Sequence, residues 1–257
     1  MLAAVLLVPV HAGALSAKSA AMLDCLSGRM LLDRNSTEPS LIASTTKIMT
    51  ALLICENCNV LDQMSIPKQA VGVEGSSMYL REGEKLSLQE LLYGLMLSSG
   101  NDAAVALALY CCGSIPEFAN LMNDKAKKLG MTQSHFENPN GLDAENHRST
   151  ARDLAILASY AMDNPIFRQT VSTKTVTVGS RLLRNHNKLL WLYPGADGVK
   201  TGFTKRAGRI LVSSATQNHR RLVAVTINDP NDWQDHAAML NQGFSQFNLQ
   251  RIVTVGD

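Results

Sequence analysis

Apolar residues crowd the stretch 42–54, where Ile42, Ala43, Ile48, Met49, Ala51, Leu52, Leu53 and Ile54 leave almost no polar face. A helix that is apolar on nearly every side is a buried one. A second helix opens at Ser87-Leu88-Gln89-Glu90, a capping box in which serine and glutamate each satisfy a free backbone N–H of the other's residue. It runs through Leu91, Leu92, Leu95, Met96 and Leu97, and Gly100 breaks it before Asp102-Ala103-Ala104-Val105-Ala106 starts the next. Ser114-Ile115-Pro116-Glu117 opens a further helix by the same device, and Gly130 stops it.

Strand patterns lie on either side of this helical block. Residues 19–24 and 29–33 flank Ser27-Gly28 and read as a hairpin, with Cys25 on a strand. Alternation returns at Thr173-Lys174-Thr175-Val176-Thr177-Val178, and residues 210–216 and 222–227 form a second hairpin across Asn218-His219. Lys200-Thr201-Gly202 falls at the start of a strand that continues through Phe203-Thr204 and turns at Lys205-Arg206-Ala207-Gly208. A last helix over 232–244 covers the sheet. The pattern predicts an α+β fold in which early and late strands form one antiparallel sheet, flanked by helices. A mostly helical lobe, about residues 45–162, is inserted between them. A pocket is expected where the lobes meet.

Bulk properties narrow the classes. The 257 residues, 46% of them hydrophobic, can bury a substantial core. A net charge of +2, with no basic stripe carrying interleaved aromatics, gives no reason to expect a nucleic-acid partner. Residues 2–10 are a short apolar run and Ala12-Gly13-Ala14 resembles a signal-peptidase site, although the usual positive charge is missing. Residues 1–17 are therefore expected to be a shortened leader of an exported protein, with a first strand or a tail as the alternative. Beyond the leader, no apolar run reaches the length of a membrane span. Cys55 and Cys58 have C-x-x-C spacing, but the adjacent Cys111-Cys112 match zinc ligands poorly. A disulfide would suit an exported chain; small thiols buried at helix ends are the reading favoured. The six histidines form no His-x-x-x-His pair, so neither a catalytic metal nor a cofactor is expected.

Three short motifs carry the chemistry: Ser44-Thr45-Thr46-Lys47, Ser99-Gly100-Asn101 and Lys200-Thr201-Gly202. Taken singly, Ser44 is an N-cap with Lys47 reaching to water, Ser99-Gly100-Asn101 is a polar turn, and Lys200 blunts an edge strand. Taken together, they resemble three walls of one serine acyl-transfer site. Residues three apart share a helix face, so the Lys47 amine lies over the Ser44 hydroxyl. A lysine with a depressed pKa can take the proton that keeps serine a poor nucleophile. Ser99 can pass a proton to a leaving amine, and Asn101 can hold Lys47 and a substrate amide. Lys200 adds positive charge, Thr201 can bind a terminal carboxylate, and Gly202 lets a substrate backbone approach the strand. The N–H groups of Ser44 and Phe203 form a candidate oxyanion hole, and Arg209 is a second candidate for the carboxylate.

Longer stretches support this reading. They are Ile42-Ala43-Ser44-Thr45-Thr46-Lys47-Ile48-Met49-Thr50, Glu74-Gly75-Ser76-Ser77-Met78-Tyr79-Leu80, Leu97-Ser98-Ser99-Gly100-Asn101-Asp102-Ala103-Ala104, Asn138-Pro139-Asn140-Gly141-Leu142 and Gly198-Val199-Lys200-Thr201-Gly202. Over about residues 18–247 the chain resembles the serine D-alanyl-D-alanine carboxypeptidases, the low-molecular-mass penicillin-binding proteins. The resemblance implies acylation at Ser44, Lys47 as base, and assistance from Ser99, Asn101 and Lys200. It implies a peptidoglycan stem peptide ending in D-Ala-D-Ala as substrate, and β-lactams as covalent inhibitors. Family members often carry a C-terminal β domain and a membrane anchor; residues 248–257 are expected to open the linker to such a domain, through which any membrane association would run. A class A β-lactamase shares the motif trio, but its Glu-x-x-x-Asn element is unmatched; a β-lactam sensor or cell-wall binding module is the non-enzymatic alternative.

Overall fold

The computed structural model describes residues 15–247. Residues 1–14 of the expected 1–17 leader, and the expected linker at 248–257, lie outside the described residues. Packing of the domain already includes Ser16, whose backbone N–H and hydroxyl donate to Asp235 and Asp229 at 2.6 Å each.

Strands β1 (Ser19–Asp24) and β2 (Met30–Arg34) form the expected hairpin. Cys25 lies in its turn, not on a strand. The reason is Asp24, whose side chain accepts the Leu26 and Ser27 N–H groups and bends the chain one residue earlier. The helical lobe follows as α1 (Lys47–Asn57), the small pair β3 (Gln63–Ser65) and β4 (Lys85–Ser87), then α2 (Leu88–Leu97), α3 (Asn101–Cys112), α4 (Ile115–Lys128) and α5 (Ala151–Ala161). The capping box at Ser87 and Glu90 forms as expected.

Helix α6 (Pro165–Ser172), absent from the sequence reading, is capped by Asn164, which accepts the N–H groups of Ile166 and Phe167. The alternating stretch forms β5 (Thr175–Val178), but it pairs only with β6 (Arg181–Arg184) in a separate hairpin. Its alternation marks a strand with one solvated face, whereas the main sheet is covered on both. A short helix α7 (Leu189–Leu192) leads to β7 (Ala196–Thr204), β8 (Gly208–Gln217), β9 (Arg220–Ile227) and α8 (Asp232–Gln246). Lys200-Thr201-Gly202 therefore sits in the middle of β7, not at its start. Gly198 does not break the strand; it pairs with Ser214 across a local register shift.

The main sheet is antiparallel in the order β2-β1-β9-β8-β7, so β7 is an edge. Asn218 and His219 both have left-handed φ (49° and 62°), the geometry of a tight hairpin turn between β8 and β9. One face of the sheet, with Met22, Leu211, Leu222 and Ala224, packs on Met239 and Leu240 of α8. The other, with Ala21, Leu23, Val212, Val223 and Val225, joins Leu154 and Leu157 of α5 in the larger core. All six β1 residues are buried, as a strand covered on both faces must be. The buried His236 of α8 ties the layers by bonding Ser213 and Thr226. Burial pushes its pKa down to about 3. The five cysteines are free and half-buried, and burial pushes the Cys55 thiol up to about 12, so it stays protonated.

Buried Asp102 opens α3 and gathers the preceding segment. It accepts from the Ser77 hydroxyl (2.6 Å), from the Met78 and Leu80 N–H groups (3.1 Å each) and from Ala103 N–H (2.9 Å). Asp102→Ala leaves buried donors unsatisfied and is expected to lower unfolding stability by about 2–4 kcal/mol in a denaturant titration. A change below about 1 kcal/mol would mean that the segment is held by packing alone.

Candidate active site

Ser44 lies in a 3-10 turn, Ala43–Thr46, that runs directly into α1. Ala43 has φ 46°, a left-handed conformation that a Cβ disfavours. Gly141, itself at φ +85°, makes room for it: a Cβ there would stand 1.9 Å from the Ala43 carbonyl oxygen. The kink delivers Ser44 to the cleft while Thr45, Thr46 and Lys47 turn inward and are buried.

Lys47 is fully buried, and its Nζ lies 2.9 Å from Ser44 Oγ, 2.7 Å from Asn101 Oδ1 and 2.6 Å from the Asn140 carbonyl oxygen. Two of these neighbours only accept hydrogen bonds. The third, a hydroxyl, can also donate. A neutral amine fits this set: two N–H groups go to the carbonyl oxygens and the lone pair faces the Ser44 O–H. Burial, and then the nearby charge of Lys200, push the Lys47 pKa well below the usual lysine range, with Asp102 opposing.

Asn101 is fixed at both ends. Its Oδ1 faces Lys47, its Nδ2 donates to the Glu74 carbonyl, and its backbone N–H donates to Ser76 O at 2.7 Å. Ser99 takes the left-handed conformation (φ 60°) between α2 and α3 and is buried. Lys200 Nζ donates to Ser99 Oγ at 3.1 Å and to the Thr201 carbonyl at 2.9 Å. Burial lowers its pKa to about 7. Gly202 lets β7 pass tightly by the serine turn, since a Cβ there would lie 3.2 Å from Ile42 O and 3.3 Å from Ser44 N. The structure thus gathers two hydrogen-bonded groups, Ser44–Lys47–Asn101 and Ser99–Lys200, at one cleft that Ser44 and Ser99 both line.

The cleft in front of them holds about 440 Å³ and is lined by Ser44, Ser76, Ser99, Thr201, Gly202 and Phe203, with His186, Arg209 and Trp233 also on its walls. Phe203 is open to solvent and pairs in register with Arg209 of β8. Arg209 is present as expected, but its guanidinium is held by the buried Asp232 carboxylate at 2.7 Å and lies 5.9 Å from the Trp233 ring. Its charge is therefore shared between that carboxylate and the cleft, which Thr201 also lines.

Several site residues had no role in the sequence reading. The Asn140 carbonyl reaches Lys47 because Asn138 braces its turn, accepting Gly141 N–H at 2.7 Å and donating to Leu142 O at 2.9 Å. Asn138-Pro139-Asn140-Gly141 entered only as a stretch of the resemblance, since no side chain announces a backbone carbonyl's task. His147 supports the serine turn: its Nδ1 accepts Glu137 N–H at 3.1 Å, so Nε2–H donates to Thr46 Oγ1 at 2.7 Å. Burial lowers its pKa to about 4, so the imidazole is neutral at pH 7.

A serine hydroxyl facing a desolvated amine, with a second lysine behind a second serine and a glycine-bearing strand edge alongside, is an arrangement suited to serine acyl transfer. The model of the D-alanyl-D-alanine carboxypeptidase family matches residues 8–231, and the chain belongs to that family. It is 37% identical over 248 residues to the D-alanyl-D-alanine carboxypeptidase DacF of Bacillus subtilis, covering 90% of this chain and 63% of that protein. It is 36% identical to DacC of Escherichia coli, covering 93% and 64%. The chain thus spans less than two thirds of the length of these relatives. Penicillin-binding protein 6B of Escherichia coli superimposes with a TM-score of 0.92 at 32% identity, over 97% of this chain and 84% of that one. A mutant of a Streptomyces DD-transpeptidase superimposes with a TM-score of 0.86 at 33% identity, over 90% and 99%.

The buried lysines oppose folding. Below pH 7 the folded state must hold Lys200 as an ammonium; between about 7 and 10.5 it is neutral when folded and protonated when unfolded, so stability from this group rises with pH. Lys200→Met is expected to raise Tm, by about 2–4 °C per kcal/mol relieved, with the gain largest at pH 6 and shrinking toward pH 10. A gain that does not change with pH would place the effect in packing and not in the charge.

Proposed function

We propose that the protein removes the terminal D-alanine from peptidoglycan stem peptides ending in D-Ala-D-Ala, through an acyl-enzyme on Ser44. The observation that carries this reading is the 2.9 Å contact between Ser44 Oγ and the buried Lys47 amine, at a cleft whose strand edge bears Lys200 and Thr201. A peptide laid antiparallel on the free edge of β7 points its C-terminus toward the strand's N-terminal end. Its terminal carboxylate then meets the Lys200 ammonium and the Thr201 hydroxyl. The penultimate carbonyl meets the N–H groups of Ser44 and Phe203 as its oxyanion forms.

Lys47 takes the Ser44 proton as Oγ attacks that carbonyl. Ser99, in contact with Lys200, returns a proton to the departing amine of D-alanine. Water then attacks the ester, and Lys47 serves again as base. A β-lactam carries a carboxylate and a strained amide in the same relation, so it acylates Ser44 and blocks the site. The same arrangement weighs against a β-lactamase, which needs a carboxylate to activate the deacylating water. Glu137 instead accepts the Asn146 N–H at 3.1 Å, and Asp232 in the cleft wall is held by Arg209. The apolar run at 2–10 and Ala12-Gly13-Ala14 support export, with action at the outer side of the cytoplasmic membrane or beyond it, on cell-wall peptides and hence on cell shape.

Ser44→Ala is expected to abolish both D-alanine release and covalent penicillin labelling, and mass spectrometry of the treated wild type should place the adduct on the Ser44 peptide. An adduct on another serine would overturn the assignment. Thr201→Val is expected to lower kcat/KM on D-Ala-D-Ala acids by about 1–3 kcal/mol, the scale of one unmade hydrogen bond, and to matter much less for amidated substrates. Equal damage to acid and amide would show that Thr201 serves the strand and does not read the carboxylate.

A further inference from the structure

The two helices that bring Lys47 and Asn101 together meet again at their far ends. Lys47 opens α1 and Asn101 opens α3, and their side chains touch at 2.7 Å. Helix α1 is 11 residues long and Cys58 is its C-cap; α3 is 12 residues long and Cys111 is its next-to-last residue. At a rise of 1.5 Å per residue, both cysteines stand about 15–16 Å from the shared starting point. Side-chain bonds at the far ends show that the helices run parallel over that length. Tyr110 Oη, one residue before Cys111, donates to Asp62 Oδ2 at 2.9 Å. Asp62 Oδ1 in turn accepts from Asn59 Nδ2, one residue after Cys58, at 2.9 Å. The Cys58 and Cys111 thiols themselves lie in hydrogen-bond contact with each other. Both are half-buried, so a reagent in solution can reach them.

Two other thiols are near but pair less well. The Cys112 thiol bonds its neighbour Cys111, yet adjacent Cα atoms are about 3.8 Å apart, short of the roughly 4.4–6.8 Å that a disulfide spans. Cys55 lies on α1 before Cys58, and its thiol hydrogen-bonds its own backbone. We propose that Cys58 and Cys111 form a disulfide that clamps the far ends of α1 and α3. The oxidant is a disulfide, either a small one or that of a thiol–disulfide exchange protein. One thiolate of the pair attacks it and expels a thiol; the second thiolate resolves the mixed disulfide and expels the other. One S–S bond forms in the chain and one breaks in the oxidant, whose two new thiols take up two electrons and two protons from Cys58 and Cys111. Burial pushes both pKa values up, Cys111 to about 11, so the exchange quickens as pH rises. The proposed export supplies the oxidising compartment. The bond closes the long loop 58–111 and so lowers the entropy of the unfolded chain. It stands at the opposite end of the helix pair from the Lys47–Asn101 contact, and it fixes the register on which that contact depends.

The test uses the full chain, incubated at mildly alkaline pH with oxidised glutathione or with dithiothreitol, then blocked with N-ethylmaleimide and digested without reduction. Mass spectrometry is expected to count five blocked thiols in the reduced sample and three in the oxidised one, with a linked peptide joining Cys58 to Cys111. Cys55→Ser/Cys112→Ser should keep the link, which assigns it within the two cysteine pairs, and Cys58→Ser or Cys111→Ser should remove it. Oxidation is expected to raise the wild-type Tm by about 4 °C or more and to leave that of Cys58→Ser/Cys111→Ser unchanged. Five thiols still open after oxidation, a bond joining Cys111 to Cys112 or Cys55 to Cys58, or a bond between two chains would overturn the pairing. A Cys58–Cys111 link that forms without raising Tm would overturn the clamp. No readout involves D-alanine release, so this inference and the proposed function fail separately.

Discussion

The contact between the Ser44 hydroxyl and the Lys47 amine depends on keeping that amine out of water. An exposed lysine holds its proton and cannot act as a base; a buried one gives it up because the interior solvates an ammonium poorly. The all-round apolar character of α1 supplies the burial. The Asn101 and Asn140 oxygens satisfy the two N–H groups that a neutral amine retains. Lys200 adds a repulsive charge nearby. Burial and the Lys200 charge both favour the neutral amine, and holding these polar groups out of water costs stability that a plain apolar core would not. The stability comes from the two cores on either side of the sheet.

Three remote segments must meet within hydrogen-bond distance, and the fold meets that demand with strained backbone at the joints. Ala43 and Ser99, the residues that flank or form two of the motifs, both hold left-handed φ. Such conformations persist where the surroundings over-determine them. Here the surroundings are Gly141 against Ala43, His147 behind Thr46, and Asp102 gathering residues 77–80 behind Asn101. The edge position of β7 completes the arrangement, since only an edge strand can offer backbone groups to a peptide.

Much of this was legible in the chain. The apolar helix, the capping box at Ser87, the two hairpins and the final helix follow from periodicity and turn chemistry, because those signals are local. The motif trio named all five residues that the structure joins around Lys47 and Lys200. What stayed hidden was non-local or lay in the backbone. The alternating stretch at Thr175 was assigned to the main sheet because alternation reports a half-exposed strand and not its partner. Lys200-Thr201-Gly202 reads as a strand start from its neighbours in sequence, although β7 already begins at Ala196 and Gly198 pairs inside it. The Asn140 carbonyl, the neutral His147 and the Asp232 clasp on Arg209 depend on residues distant in sequence, so spacing alone carried no trace of them.

The account stands on the charge state of one amine. Selective 15N and 13C labelling of lysine, with the Lys47 signal assigned by its loss in Lys47→Arg, allows the amine to be titrated directly by NMR in the unacylated protein. The account predicts that burial and the nearby Lys200 charge make Lys47 lose its proton well below the usual lysine value of about 10.4. A Lys47 signal that remains that of an ammonium up to pH 10 would contradict it, and would move the base to another group in the cleft.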